Sequence, residues 1–247
     1  MPIASADLIA LGSLNRPEDD TALVGGAIDI DNRPVFTQLA ANDTVQVKSD
    51  NAGDITQNVT ITGRDAAGAE VSEVLGPLTG VTPVVGTQTF ERVLKVVMDA
   101  DAVGIITVER TIGPTLIQTI PIGERGFYGL FIKSASESAA TTRFEKLFWK
   151  NTHASLTLNA AKVELTADPA AKIRLGLEAA KNDTNTAANR KTAPGGVTFV
   201  DNNVKQDVPG NTLEAASAIG TWIELALAID DTPVKDTFTT QLEGTSV

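Results

Sequence analysis

From Thr44 onward the apolar residues of this chain tend to fall on alternate positions, and that period of two constrains the fold more than any other feature of the sequence. Val45 and Val47, then Val59 and Ile61, each set β-branched side chains on one face with polar ones between, and Val71 and Val74 bracket a polar face in the same way. Between Ile61 and Val71 the run Gly63-Arg64-Asp65-Ala66-Ala67-Gly68 is small and polar, with glycines able to take positive φ, so residues 59–74 are expected to form a hairpin. Residues 90–98 and 104–110 supply two more β-branched runs on either side of the polar turn Asp99-Ala100-Asp101. Only 4% of the residues are aromatic against 42% hydrophobic, so the core has to be built from Val, Ile, Leu and Ala, which suits packed sheets.

At 247 residues the chain allows one or two domains, and two are favoured. The expected fold is mainly β, with two antiparallel β-sandwich modules of Ig-like or jelly-roll-like type and long irregular arm and loop segments. Residues 1–43 are expected to be an extended arm, because Arg16-Pro17-Glu18-Asp19-Asp20 and Asp31-Asn32-Arg33-Pro34 interrupt any regular element. Residues 44–112 are then a small sandwich, and residues 113–247 a second one that begins after a link rich in Pro and Gly. Further strands are expected over residues 127–132, 144–150, 156–158, 162–165, 172–177, 221–227 and 237–242. Residues 179–210 carry an excess of Asn, Asp, Thr, Pro and Gly and read as a loop that reaches toward a partner. A short helical turn is expected over residues 211–219, capped by Asn211 or Thr212.

The charge and residue inventory removes several classes of function. A formal charge of −11 repels phosphate backbones, which argues against nucleic acid as a partner. With no cysteine, disulfides, thiolate metal sites and Cys nucleophiles are excluded. Neither an export signal nor a membrane-spanning stretch is read from the sequence. His153 is the single histidine, no Gly-x-Ser-x-Gly elbow accompanies it, and it reads as a solvated loop residue. The carboxylate pairs Asp99/Asp101, Asp29/Asp31 and Asp230/Asp231 sit at turns, where such groups hold backbone N–H rather than catalyse. Asp99 and Asp101 are the candidates for a hard cation, although their loop lacks the Gly and distal Glu of an EF-hand. Trp149 and Trp222 lie inside apolar strands and read as core anchors, whereas Arg143, Lys146 and Lys150 read as a solvated basic face beside Trp149. The expectation is a protein with no catalytic residue and no cofactor.

The residues Gln57-Asn58-Val59-Thr60-Ile61-Thr62-Gly63-Arg64-Asp65-Ala66-Ala67-Gly68, with Pro83-Val84-Val85-Gly86-Thr87-Gln88-Thr89-Phe90 after them, resemble a hairpin pattern of phage head-associated proteins. Glu145-Lys146-Leu147-Phe148-Trp149-Lys150-Asn151, Gly220-Thr221-Trp222-Ile223-Glu224-Leu225 and Thr239-Thr240-Gln241-Leu242-Glu243-Gly244 are similar to segments of tailed-phage structural proteins, so the resemblance covers most of the chain. It implies a non-enzymatic virion component that decorates or cements the outside of the head, assembled in the host cytoplasm, with the major capsid protein lattice as partner. A symmetric homo-oligomer, a trimer by preference, would match the local axes of a shell. A neck, tail or head-fibre protein is the first alternative, a bacterial surface Ig-like module the second and a virion enzyme the third. The expected contact residues lie on the arm (Pro2, Leu14, Arg16, Pro17, Arg33, Pro34, Phe36) and on the long loop (Asn185, Arg190, Pro194).

Overall fold

A computed structural model of the chain describes residues 2–131, 139–231 and 237–246. It is mainly β, as the alternation requires. The chain opens with β1 (Leu8–Asn15) and β2 (Val24–Asp29). It continues through β3 (Asn32–Arg33), β4 (Val45–Ser49), β5 (Val59–Arg64), β6 (Glu70–Leu75), β7 (Val84–Val85), β8 (Arg92–Met98), β9 (Ile106–Arg110), β10 (Leu116–Ile120) and β11 (Gly126–Tyr128). The last stretch holds β12 (Thr141–Asn151), β13 (Leu158–Ala167), β14 (Ile173–Lys181), β15 (Thr186–Ala187), β16 (Gln206–Asp207), β17 (Thr212–Leu213), β18 (Ala218–Leu227) and β19 (Thr239–Ser246). Among the described residues, helix is confined to two short 3-10 turns, Ser5–Asp7 and Pro209–Asn211, and no helix is long and apolar enough to cross a membrane.

The strands form two compact units. Residues 30–130 make one, the inserted unit, and residues 1–29 with 131–247 make the other, the split unit. The inserted unit has one sheet in the order β10-β9-β4-β7 and a second in the order β3-β11-β8-β5-β6. The expected hairpin is present, with Val59 opposite Leu75 and Arg64 opposite Glu70. Inward residues of both sheets, among them Val45, Val47, Val59, Ile61, Val96, Ile106, Val108 and Phe127, join one buried cluster that includes Phe90. β8 and β9 do not pair with each other: β8 lies between β5 and β11, and β9 between β4 and β10, so the Asp99-Ala100-Asp101 segment crosses from one sheet to the other.

The split unit has a six-stranded sheet in the order β14-β18-β12-β1-β2-β15. In a second sheet β13 pairs with β19 along one edge and with β16 and β17 along the other. The residues expected to form an arm are therefore structural. β1 takes a place inside the six-stranded sheet, with Leu11 opposite Phe148, and residues 30–43 belong to the inserted unit. The proline and acidic breaks at Arg16-Pro17-Glu18-Asp19-Asp20 separate strands instead of preventing them.

Three other expectations are corrected. No boundary falls at residue 112, because β10 continues the sheet of β9 and β11 pairs with β8. Residues 211–219 form β17, a turn with Ala216 at positive φ, and the start of β18, since Thr212 and Leu213 find ladder partners on β13 that outweigh a helical turn. The loop of residues 179–210 folds back on its own unit: β15 pairs with β2, the Arg190 carbonyl accepts the Phe144 N–H at 2.7 Å, and Val200 bridges Leu175. In that position Val197 and Phe199 pack with Phe144 and Trp222. Ile132, expected at the end of a strand from Phe127, lies outside the described residues.

Candidate functional site

Two places in the molecule are built beyond what a fold alone requires, one in each unit. In the inserted unit three loops are tied together at one buried residue, Asp54, through its carboxylate and its main-chain carbonyl. Asp54 Oδ2 accepts from Ser49 Oγ at 2.6 Å and from the Gly104 N–H at 2.9 Å, while Oδ1 accepts from the Val103 N–H at 2.8 Å and from Gln57 Nε2 at 3.4 Å. The Asp54 carbonyl also accepts the Gly80 N–H at 2.9 Å, so the segments around residues 50–57, 78–82 and 101–105 are tied together. Burial by itself would raise this carboxyl, but the bonds from Ser49, Val103 and Gly104 outweigh it and hold the group below its usual value. Gly80, at φ +68°, and Gly104 let the loops touch, because a methyl group on Gly80 would meet Ala52 Cα at 2.8 Å and one on Gly104 would meet Asn51 Cβ at 2.6 Å. From this braced scaffold Ile55, Val81, Val103 and Ile105 point into solvent, with Val103 64% exposed.

The split unit carries a buried charge cluster. Lys146 lies on β12 at the same parity as Phe144 and Phe148, so the pleat turns it inward, opposite Trp222 on β18. Its ammonium is in direct contact with Asp183 Oδ1 and donates to the carbonyls of Asn185 at 3.1 Å and Gly26 at 3.3 Å. Glu178 Oε1 lies 3.4 Å from the same nitrogen and accepts the Trp222 indole N–H at 2.7 Å, while Oε2 accepts Asn185 Nδ2 at 2.8 Å. The lysine side chain is 0% exposed, and those of Glu178 and Asp183 are 3% each. Asp183 Oδ1 also accepts the Asn185 N–H at 3.0 Å, whereas Oδ2 is buried without a donor. Burial pushes the Asp183 carboxyl up, against the pull of Lys146, and the nearby Glu178 charge adds to the rise. Gly220 closes the site: a methyl group there would lie 2.7 Å from Lys146 Cε and 2.8 Å from Glu178 Cγ. Gly25, at φ +91°, makes similar room for the Trp222 ring.

A second buried pair lies at the edge of β12, where Arg190 bonds Glu145 and, at 3.3 Å, the Glu18 carbonyl. Burial pushes the Glu145 carboxyl up despite the Arg190 charge beside it. The basic face expected around Trp149 is thus largely internal, since Lys146 and Arg143 are buried and Arg143 forms a bidentate pair with Asp20 at 2.9 Å.

The expected contact residues are scattered, and several are internal. Arg190, Pro34 and Pro194 are buried and present no free surface, and the half-buried Phe36 packs on Phe127 with ring centroids 4.9 Å apart. Arg16 pairs with Asp29 and Arg33 with Glu124, Pro17 is half-buried, and Asn185 serves the lysine cluster. Pro2 and Leu14 remain exposed. Asp99 is occupied by Asn58, accepting its N–H at 2.8 Å and its Nδ2 at 2.7 Å, and Asp101 pairs with Arg125 at 2.8 Å. Among the described residues no three metal-ligating side chains of His, Cys, Asp or Glu gather at one point. His153 closes its own turn, Nδ1 accepting from the N–H groups of Ser155 and Leu156. Trp222 is fully buried and Trp149 half-buried. Neither Asp54 nor the pairing of Lys146 with Asp183 follows from local motifs, although the core parity of Lys146 between Phe144 and Phe148 is a sequence signal for it.

No protein-family model matches the chain, and no curated protein or solved structure does so either.

Proposed function

We propose that this chain is a non-enzymatic structural protein of a tailed-phage virion, one that binds the outside of the capsid as a decoration or cement protein. In this reading its two β units are sandwich modules of Ig-like or jelly-roll-like type, and it acts as a homo-oligomer, a trimer by preference, on the lattice of the major capsid protein at the head surface. The observation that carries the reading is the braced loop end of the inserted unit, where Ile55, Val81, Val103 and Ile105 are held outward on loops fixed by Asp54. Apolar side chains on a pre-ordered scaffold lose little entropy on docking, which is what a protein contact needs. A contact repeated over a symmetric lattice gains by multivalency, and a protein that binds only the assembled shell stabilises it by linkage. The contact surface moves accordingly, from the arm and long loop to the loop end.

The test is quantitative mass spectrometry of density-purified particles, counting this chain against the major shell protein. A ratio near unity or a simple fraction of it supports the head-surface reading. A few copies per particle would assign the chain to the neck, tail or a head fibre, and absence from particles would revive the bacterial surface module. The double variant Ile55→Asp, Val103→Asp should lose particle binding while keeping its β-type circular dichroism; retained binding would remove the loop end from the contact.

A further inference from the structure

We propose that Lys146 and Asp183 join in an intramolecular isopeptide bond, formed by the chain itself with Glu178 as the proton carrier. The inference is independent of the virion reading and rests on the buried geometry of the split unit. An amine nitrogen, a carboxyl carbon and a second carboxylate are held together inside a protein, and condensation to an amide needs those three parts.

Each neighbour has a place in the step. The carbonyls of Gly26 and Asn185 fix the Lys146 nitrogen against Asp183. Glu178 Oε1, 3.4 Å from that nitrogen, takes a proton from the ammonium, and the freed amine attacks Asp183 Cγ. Negative charge then develops on Oδ1, which already accepts the Asn185 N–H at 3.0 Å. Oδ2 has no donor to hold it; Glu178 carries to it first the ammonium proton, which makes Asp183 the neutral acid that is attacked, and then a proton from the attacking nitrogen, so that it departs as water. One bond forms, Nζ to Cγ, and one breaks, Cγ to Oδ2. Two of the three ammonium protons leave with the water, Glu178 ends as the carboxylate it began, and no oxidant, metal or nucleotide is required.

The surroundings favour this direction. Ammonium and carboxylate are stabilised in water far more than a neutral amide is, so removing water shifts the balance toward condensation. Lys146, Glu178 and Asp183 are almost completely buried, with the Phe148 and Trp222 rings centred 4.8 and 5.5 Å from the nitrogen. Holding the Lys146 nitrogen against the Asp183 carboxylate replaces a bimolecular encounter by an oriented one. The raised carboxyl of Asp183 points the same way, because the protonated acid is the electrophile. As a purely ionic site the cluster is awkward: two carboxylates share one ammonium, and one oxygen lacks any donor. After condensation Asp183 and Lys146 carry no charge, Oδ2 is gone, and Glu178 keeps Trp222 and Asn185 as donors.

Intact-mass measurement of the purified full-length chain under denaturing conditions decides the matter. The expected mass is below the sequence mass by one water, and digestion should yield a branched peptide joining the segments around Lys146 and Asp183. Asp183→Ala and Lys146→Arg should restore the full mass expected of each sequence, and Glu178→Gln should leave a folded chain in which the bond is slow or absent. Full sequence mass in wild-type protein with folded-state circular dichroism would overturn the proposal. Loss of one water confined to a linear peptide, as in a succinimide at an aspartate, would overturn it equally.

Discussion

The inserted and split units use the same strand alternation and distribute their residues in opposite ways. Of the sixteen large apolar side chains left exposed among the described residues, twelve belong to the inserted unit, although it is the shorter of the two. The buried cations Arg143, Lys146 and Arg190 all belong to the split unit. One unit hides an aliphatic core and shows apolar groups at its surface; the other hides charge and pairs it internally. The difference teaches that similar strand patterns can carry exposed apolar groups in one place and buried charge in another, and that the side chains that break the pattern mark which is which. Apolar residues in the turns of the inserted unit and charged residues at core parity in the split unit are those exceptions.

The largest effect is expected where the split unit is deprived of its cation. Lys146→Met leaves Glu178 and Asp183 buried without a counter-charge, which costs about 3–5 kcal/mol, and it also removes any bond to Asp183. Trp149 and Trp222 both lie in this unit, so tryptophan fluorescence in a denaturant titration reads its stability selectively. A midpoint equal to that of the wild type would mean that the buried charge contributes nothing, and the contrast between the units would fail. The matching probe in the inserted unit is Phe90→Ala, which removes a fully buried ring from the apolar cluster and is expected to cost about 3 kcal/mol or more. Faster amide exchange along β5 and β8, with hydrogen exchange mass spectrometry as the measurement, checks it.

A smaller loss is expected from Asp54→Ala, about 1–3 kcal/mol, because the Ser49 hydroxyl and the Val103 and Gly104 N–H groups lose their acceptor. Exchange at Val103 and Gly104 should rise first. The pH dependence carries a definite sign. The folded carboxyl titrates below its ordinary value of 3.8, so the unfolded chain binds more protons in that interval and stability rises with pH there. The contribution is complete above the ordinary value and lost as pH falls through the folded one, and Asp54→Asn should flatten that part of the profile. Asp183 has the opposite sign: its raised value means that the folded chain holds the proton longer, so in an unlinked chain stability falls as pH rises through the window between the two values. Condensation with Lys146 would abolish this dependence, because an amide does not titrate.

The strand content and the hairpin of β5 and β6 were legible in the sequence because both depend on neighbours a few residues apart. The insertion was not, because β1 and β12 pair across more than a hundred residues and nothing local marks Asp29 and Phe131 as the points where one unit is left and rejoined. The same reason hides the two sites. Asp54 meets Val103 across forty-nine positions, and Lys146 meets Asp183 across thirty-seven. Polar composition points to an excursion over residues 179–210, yet Gly176, Gly25 and Gly220 leave hollows that the returning loop and the Trp222 ring fill. Proximity in sequence sets Lys146 with Lys150 and Arg143, whereas strand parity sets it with Phe144 and Phe148.

The smallest effect on stability and the largest on association should come from the exposed loop end. Ile55→Asp with Val103→Asp alters side chains that are 57% and 64% exposed, so unfolding should move by no more than about 0.5 kcal/mol. Two further negative charges are added to a chain already at −11, which opposes self-association at this surface. Sedimentation of wild type and double variant at matched concentrations separates two roles for these residues. If the loop end joins copies of the chain, the variant sediments as a smaller species; if it meets a different protein, the oligomer is unchanged and only particle binding is lost. A large drop in stability would instead show that Ile55 and Val103 support the Asp54 brace, and the division between a unit with free apolar groups and one with buried charge would have to be redrawn.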